Sequence, residues 1–238
     1  MELRGASALV TGGGRGIGRA VALHLARAGV KVAVLARSAS ELDALVAEIR
    51  GASGTALKLK GDLLDPASPA RAVAETVSAH GRLQILVNNA GVGAFANLAD
   101  TTDEAWDRVI GTNLTAVFRL TRAALPHLTN GGGHVFMVSS LAGANPIAGM
   151  SAYCASKAAL DHLSACLMLE VRGQGVKVTV IAPGSVDTGF AGMPRGGDTS
   201  WMLRPDDVAE SILDQLKGRE GAHLSRVEMR PAQPQKRG

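Results

Sequence analysis

Short apolar runs alternate with longer amphipathic segments along nearly the whole chain. Residues 6–11, 30–36, 55–60, 83–87, 134–139 and 176–182 are rich in Val, Ala, Leu and Ile, and most are continuous rather than alternating. A strand that is apolar at every position is buried on both faces, as in a parallel sheet covered by helices. Between these runs, residues 16–28, 40–50, 66–79, 102–128 and 151–172 carry apolar side chains at helical spacing. A later helix is predicted over 205–217 and a last strand over 223–229. The order predicts an α/β fold: a doubly wound parallel sheet of about seven strands, with right-handed crossovers and helices on both faces. No linker or solenoid-length repeat divides the chain, so residues 1–230 are expected to form one domain. Residues 189–203 are glycine-rich and polar without periodicity, and 231–238 reads as a disordered tail.

Composition narrows the function classes. Hydrophobic residues make up 46% of the 238 and charged residues 19%, enough to build a core, while aromatics are only 3%. The aliphatic residues must therefore fill that core. The net charge of +4 is not gathered into any run of five like charges, and few aromatics are present to stack bases. Nucleic acid is thus not expected as a partner. No apolar run reaches 18 residues, so no membrane span is expected. The N-terminus lacks a signal-peptide layout, and Cys154 and Cys166 lie too far apart on one predicted helix to bridge each other. Both points suit a reducing, cytoplasmic setting. The six histidines show no metal-binding spacing, so no metal is expected.

Candidate chemistry begins after the first strand. Thr11-Gly12-Gly13-Gly14-Arg15-Gly16-Ile17-Gly18 closes that strand and opens the first helix. Glycines there let the backbone turn tightly and approach a pyrophosphate, and a helix N-terminus supplies free N–H groups with a favourable dipole. The spacing is GxxxGxG rather than GxGxxG. At the end of the second strand an acid would hold the ribose 2′-hydroxyl of NAD. This chain has Ala36-Arg37-Ser38 instead. Arg37, with Arg15, suits a 2′-phosphate dianion, so NADP(H) is expected in preference to NAD(H).

Further signals follow strand ends in order. Asn88-Asn89-Ala90-Gly91 follows the fourth strand, and Ser139-Ser140 the fifth. Pro183-Gly184-Ser185-Val186-Asp187-Thr188 follows the sixth. Asn113 sits in the middle of a predicted helix, where Asn is a mediocre helix former. The single tyrosine, Tyr153, precedes Lys157 at i, i+4, which stacks the two on one helix face. A free phenol titrates near ~10. A fixed positive neighbour is expected to lower that value towards neutral pH.

Taken together, TGGGRGIG, NNAG, Asn113, Ser140, YCASK and PGSVDT closely resemble the short-chain dehydrogenase/reductase family over about residues 4–230. The resemblance implies a Rossmann-type domain and a set of roles. Ser140 would hydrogen-bond the substrate oxygen. Tyr153 would be the general acid in reduction and the base in oxidation. Lys157 would lower the Tyr153 pKa and hold the nicotinamide ribose. Asn113 would anchor a water linking Lys157 to solvent. Gly12, Gly16, Ile17 and Gly18 would line the diphosphate. Asp62 would meet the adenine, Asn89, Ala90 and Gly91 would border the adenosine ribose, and Thr188 would contact the carboxamide. Thr11, Gly14, Arg15, Arg37, Ser38, Leu63, Pro183, Gly184 and Val186 complete the expected cofactor set, with Tyr153 and Lys157 touching it too.

The same resemblance makes residues 189–203 a substrate lid, with Met193, Trp201 and Met202 as apolar contacts. The expected substrate is a small carbonyl or hydroxyl compound. The C-terminal part, Arg204-Pro205-Asp206-Asp207-Val208-Ala209 and then His223-Leu224-Ser225-Arg226-Val227-Glu228-Met229-Arg230-Pro231, is similar to the branch acting on 3-hydroxy acids and to broad carbonyl reductases. A glycine-rich segment usual in 3-oxoacyl-[acyl-carrier-protein] reductases is missing, which leaves that role as an alternative. A non-catalytic NADP(H)-binding sensor or scaffold is the alternative of another class. The family is commonly dimeric or tetrameric, packed through helices that fall here at 102–128 and 151–172, so a homo-oligomer is expected.

Overall fold

The structure is a computed structural model and describes residues 1–190, 198–219 and 221–233. Its seven strands are β1 (Ser7–Thr11), β2 (Lys31–Ala36), β3 (Ala56–Lys60), β4 (Ile85–Asn88), β5 (Gly133–Val138), β6 (Val176–Pro183) and β7 (Arg226–Met229). All pair in parallel in the order β3-β2-β1-β4-β5-β6-β7. The helices are α1 (Gly16–Arg27), α2 (Ala39–Gly51), α3 (Ser68–His80), α4 (Asp103–Ile110), α5 (Ala116–Leu128), α6 (Ser151–Val171) and α7 (Pro205–Lys217). The doubly wound sheet expected from the apolar runs is present, and its strand order reverses between β1 and β4. That reversal opens a crevice at the C-terminal ends of the strands.

Continuous apolar strands result from burial on both faces. In β1, Ala8 and Val10 join a core with α1, α2 and α7 side chains such as Leu25, Leu45 and Ile212. Leu9, between them, joins the opposite core with Val73, Leu120 and Leu160 of α3, α5 and α6. Leu9, Leu86 and Phe136 are fully buried, and each such side chain contributes about 2 kcal/mol of transfer free energy.

Three boundaries differ from the sequence pattern for local reasons. The segment 102–128 is not one helix: a π turn, Gly111–Thr115, separates α4 from α5. π turns insert an extra residue and re-aim side chains, often at functional sites. Here the turn carries Asn113. Helix α3 starts at Ser68 rather than at 66, because Asp65 turns the chain first: its Oδ1 accepts from the Ala67 amide at 3.0 Å. Strand β7 starts at Arg226 rather than at 223, because the His223 ring N–H donates to the Val178 carbonyl at 2.9 Å and holds that stretch outside the ladder.

Candidate functional site

The glycine turn is fastened to the neighbouring strand end. The Thr11 hydroxyl accepts from the Asn89 and Ala90 amides, both at 3.0 Å, and donates to the Val87 carbonyl. Asn89 Nδ2 donates to the Thr11 carbonyl at 2.9 Å. Gly12 has φ +65°, and a Cβ there would lie 2.9 Å from Ala90 Cα. A Cβ on Gly18 would fall 2.4 Å from the Gly12 carbonyl oxygen and 2.5 Å from Asn89 Nδ2. These glycines allow β1, the turn and α1 to close against β4. The α1 N-terminus has no side-chain cap and no acid in its first turn, so its N–H groups remain available for an anion. Helix α2 differs, since Ser38 Oγ accepts from the Glu41 amide and caps it.

A cleft of about 1700 Å³ runs across this edge of the sheet. Single small-molecule sites occupy roughly 300–1,000 Å³, so the cleft has room for two reactants side by side. At one end it is walled by Arg15, Arg37, Ser38, Asp62 and Leu63. Gly12, Gly14, Gly16, Ile17 and then Asn89, Ala90 and Gly91 form its middle. Ser140, Tyr153, Lys157, Pro183, Gly184, Val186 and Thr188 close the other end. Three predicted contacts do not reach the wall. Thr11 is buried beneath it, Gly18 is packed under the turn, and Asn113 is fully buried. Each supports wall residues instead.

Asn113 does so with both ends of its amide. Its Oδ1 accepts from the Val92 amide at 2.9 Å, and its Nδ2 donates to the Val92 carbonyl at 2.9 Å and to Ser156 Oγ at 3.0 Å. The side chain thus locks the loop after β4 onto α6. Ser140 accepts from the Ala142 amide at 3.1 Å, which begins the short turn Leu141–Gly143 beside α6.

Tyr153 is 9% exposed and packs with Ala142 and Met150. The Phe190 ring lies 5.5 Å from it, centroid to centroid. Lys157 is 4% exposed, and its Nζ donates to the Val138 carbonyl at 2.8 Å. The ammonium lies 5.7 Å from the tyrosine ring centre. Burial pushes the Tyr153 phenol above its ordinary value; the Ser140 hydroxyl pulls it back and Cys154 adds to the rise. The lowering expected from the Lys157 spacing is therefore overridden, because the ring is desolvated and the ammonium is tied to a carbonyl. Burial brings Lys157 itself down to about 8, with Asp161 pulling it up.

Several wall residues escaped the sequence reading. Glu41, on the first turn of α2, lies against Gly14: a Cβ there would fall 2.5 Å from Glu41 Oε2. Phe95 and Ile147, half exposed, line the substrate end with Phe190, Trp201 and Met202. No periodicity marks Phe95 and Ile147, which come from irregular loops. Of the expected lid 189–203, residues 191–197 lie outside the described residues, as do 234–238 of the expected tail. The far end of that segment is fastened: Leu203 exchanges backbone hydrogen bonds with Ser185 and Asp187 at 3.0 and 2.9 Å. Among the described residues no helix is long and apolar enough to cross a membrane.

Comparison with known proteins agrees with the geometry. The sequence profile described as short chain dehydrogenase matches residues 6–195. The chain is 39% identical over 188 residues to 2,5-dichloro-2,5-cyclohexadiene-1,4-diol dehydrogenase of Sphingobium indicum, covering 79% of this chain and 75% of the relative. It is 35% identical over 188 residues to versicolorin reductase 1 of Aspergillus parasiticus, covering 79% and 72%. Among solved structures, a metagenomic short-chain oxidoreductase in complex with NADP superposes with a TM-score of 0.87 at 35% identity, over 98% of this chain and 100% of that one. The protein is a member of the short-chain dehydrogenase family, an oxidoreductase of the carbonyl–alcohol type with a nicotinamide dinucleotide site.

Proposed function

We propose that the protein is an NADP(H)-dependent oxidoreductase that interconverts a carbonyl and a secondary alcohol, with Tyr153 as the general acid and base. The observation that carries this reading is the placement of Ser140, Tyr153 and Lys157 at one end of the same cleft whose middle holds the uncapped α1 N-terminus. The residues fit a dinucleotide: the glycine turn has no Cβ where a diphosphate would lie, and Arg15 and Arg37 stand at the end expected for a 2′-phosphate. When bound, the nicotinamide supplies or accepts the hydride.

The protein's part is to bind, orient and move a proton. Ser140 orients the substrate oxygen towards Tyr153. In reduction, the neutral phenol of Tyr153 gives its proton to that oxygen, and the raised pKa keeps it loaded at neutral pH. In oxidation the same group must be a phenolate, so that direction gains on the alkaline side. Lys157 faces the cleft beside the tyrosine and holds the nicotinamide ribose. Asn113 acts through Val92 and Ser156 rather than through its own contact with the cleft. A scaffold or sensor has no need of Tyr153 and Lys157 together on the wall.

The substrate end is apolar, through Phe95, Ile147, Phe190 and Trp201, which favours a carbonyl carried on a bulky apolar body over a small hydroxy acid. Trp106, Phe118 and Leu169 are exposed on α4, α5 and α6, and these faces are the ones proposed to pair copies of the chain. Light scattering at micromolar concentration is expected to give a dimer or tetramer.

The decisive experiment offers NADP(H) and NAD(H) in parallel with cyclic ketones, 3-hydroxy acids and β-ketoacyl thioesters. Turnover with NADP(H) is expected, fastest with the cyclic ketones. Replacing Arg37 with Ala is expected to weaken NADPH about tenfold to a hundredfold, the worth of a charge-assisted hydrogen bond, and NADH little. Equal weakening of both cofactors would overturn the 2′-phosphate assignment.

A further inference from the structure

Helix α6 carries a buried lysine and, one turn on, a half-buried aspartate. Lys157 and Asp161 are at i, i+4, the spacing that also separates Tyr153 from Lys157, so the three stack along one face. Asp161 is clamped from outside the helix: its Oδ2 accepts from Arg226 Nη1 of β7 at 2.8 Å. Arg226 is held in turn by Glu228, Nε to Oε1 at 3.1 Å. The second carboxylate oxygen, Oδ1, is buried without a hydrogen-bond partner among the described residues. A buried carboxylate oxygen left so is costly, and packing alone gives no reason for a carboxylate here.

Gly143 explains how close the parts lie. A Cβ at that position would come 2.8 Å from Asp161 Oδ2 and 3.1 Å from the Lys157 carbonyl carbon. The turn that begins at Ser140 therefore rests directly on the Lys157–Asp161 stretch of α6. The turn after Ser140, the Lys157 backbone and Arg226 of β7 meet around the Asp161 carboxylate.

We propose that Asp161, clamped by Arg226, is a positioning residue for the reaction: it is the fixed countercharge of the buried Lys157 ammonium and the seat of the turn that carries Ser140. This rests on the roles proposed above for Tyr153 and Lys157. The reason a countercharge matters is that Lys157 stands at about 8 even with Asp161 pulling it up. Without that carboxylate nothing named here offsets the burial that lowers it, so less of the group stays an ammonium.

Other groups around Lys157 do not substitute for it. On α6 the titratable neighbours are Tyr153 and Cys154. Val138 of β5, Gly91 after β4 and Asn113 of the π turn face Lys157 with neutral groups. His134 and Lys177 lie at the far ends of β5 and β6. From α4, which also packs against α6, Arg108 reaches the cleft wall and its acids are exposed. Behind Asp161 stand Arg226 and Glu228.

The test is a titration of the whole protein labelled with ¹³C at lysine Cε, with the Lys157 resonance assigned by its loss in Lys157→Arg. In Asp161→Asn the midpoint is expected to fall by roughly one pH unit, the small end of what an adjacent opposite charge does. In Arg226→Gln it is expected to rise, because the Asp161 charge is no longer neutralised. Asp161→Glu is expected to restore the parent value. The alkaline limb of NADPH-dependent turnover should follow the same order. A merely structural pair would lower activity in both variants at every pH and leave the midpoint in place. A midpoint unmoved in Arg226→Gln overturns the proposal even if Asp161→Asn does not fold. Midpoints that move as expected in a protein with no turnover on any carbonyl would leave the countercharge standing and sink the proposed function. Turnover lost in Tyr153→Phe with a static Lys157 midpoint would do the reverse.

Discussion

The two ends of β5 carry buried polar side chains in opposite circumstances. At its start, His134 bonds Thr179 through Nε2 at 2.8 Å and stacks on Phe136 with ring centres 4.0 Å apart. Thr179 donates onward to the Leu224 carbonyl at 2.8 Å. Ser7 and His80 pair in the same way at the start of β1, at 3.0 Å. At the other end of the sheet the glycine turn, the uncapped α1 N-terminus, Ser140 and Tyr153 open onto a cleft. Polar groups consumed by their neighbours specify a fold. Groups that converge on open space specify a ligand. Lys157 and Asn113 share both conditions: they are bonded within the protein, yet they border or brace the cleft.

The sharpest way to break this contrast is Tyr153→Phe. It removes one hydroxyl from the open edge and nothing from the core. We expect kcat to fall about 10²–10⁴-fold, the range for a lost general acid or base, with Tm essentially unchanged. Steady-state kinetics beside a thermal melt checks both. A large fall in Tm would make Tyr153 a packing residue and erase the distinction between the two edges.

The closed edge makes the opposite prediction, in stability and not in activity. Burial holds His134 down to about 3 in the folded protein, helped by His223 and Lys177. Its unfolded value is near ~6.5. Between those values the unfolded chain binds the extra proton, so folding stability falls as pH falls through that window and is complete above it. The expected slope from this group is about 1.4 kcal/mol per pH unit. Urea melts from pH 7 to 4 should reveal it, and His134→Asn should flatten it while leaving neutral-pH turnover intact.

Packing beneath the open edge is tested by Gly18→Ala. The new methyl would meet the Gly12 carbonyl oxygen and Asn89 Nδ2, which are backbone and a clamped amide. Overpacking of this kind costs about 1–3 kcal/mol. Cofactor affinity should fall with stability, because the displaced atoms build the turn. A variant that binds NADPH as tightly as the parent would separate the turn's shape from its function.

These contrasts also mark what the sequence could disclose. Strands buried on both faces announce themselves as apolar runs, so β1 to β6 were legible to within a residue or two, while the start of β7, at the sheet edge, was three residues off. The cleft residues tied to strand ends, from Gly12 to Thr188, were legible because topology brings every such end to one edge. Asn113 stood out as a poor helix former, but a π turn cannot be read from a pattern whose period it breaks. Glu41, Phe95 and Ile147 sit on surfaces that only the assembled fold brings together. Asp161 repeats the Tyr–Lys spacing by one more turn, a signal present in the chain whose meaning depends on Arg226, 65 residues away. The Tyr153 phenol shows the same split: spacing reports a charged neighbour, whereas the burial that pushes the phenol up is a property of the whole fold.

The smallest expected effect separates two adjacent serines. Ser139 is buried, and its hydroxyl makes a single long bond of 3.5 Å to the Lys157 carbonyl. Both residues line the cleft, but Ser140 is the less buried of the two and caps the turn that leads to Gly143. Removing either hydroxyl should change stability by no more than about 1 kcal/mol, the net worth of an ordinary hydrogen bond. Their kinetics should differ. Ser139→Ala is expected to leave kcat within about twofold, since a 3.5 Å contact is at the limit of a hydrogen bond. Ser140→Ala should lose a substrate contact whose worth appears only in turnover. Equal losses in the two variants would mean that the strand end acts as a unit, and that the boundary between architecture and chemistry lies deeper in the sheet than the cleft wall.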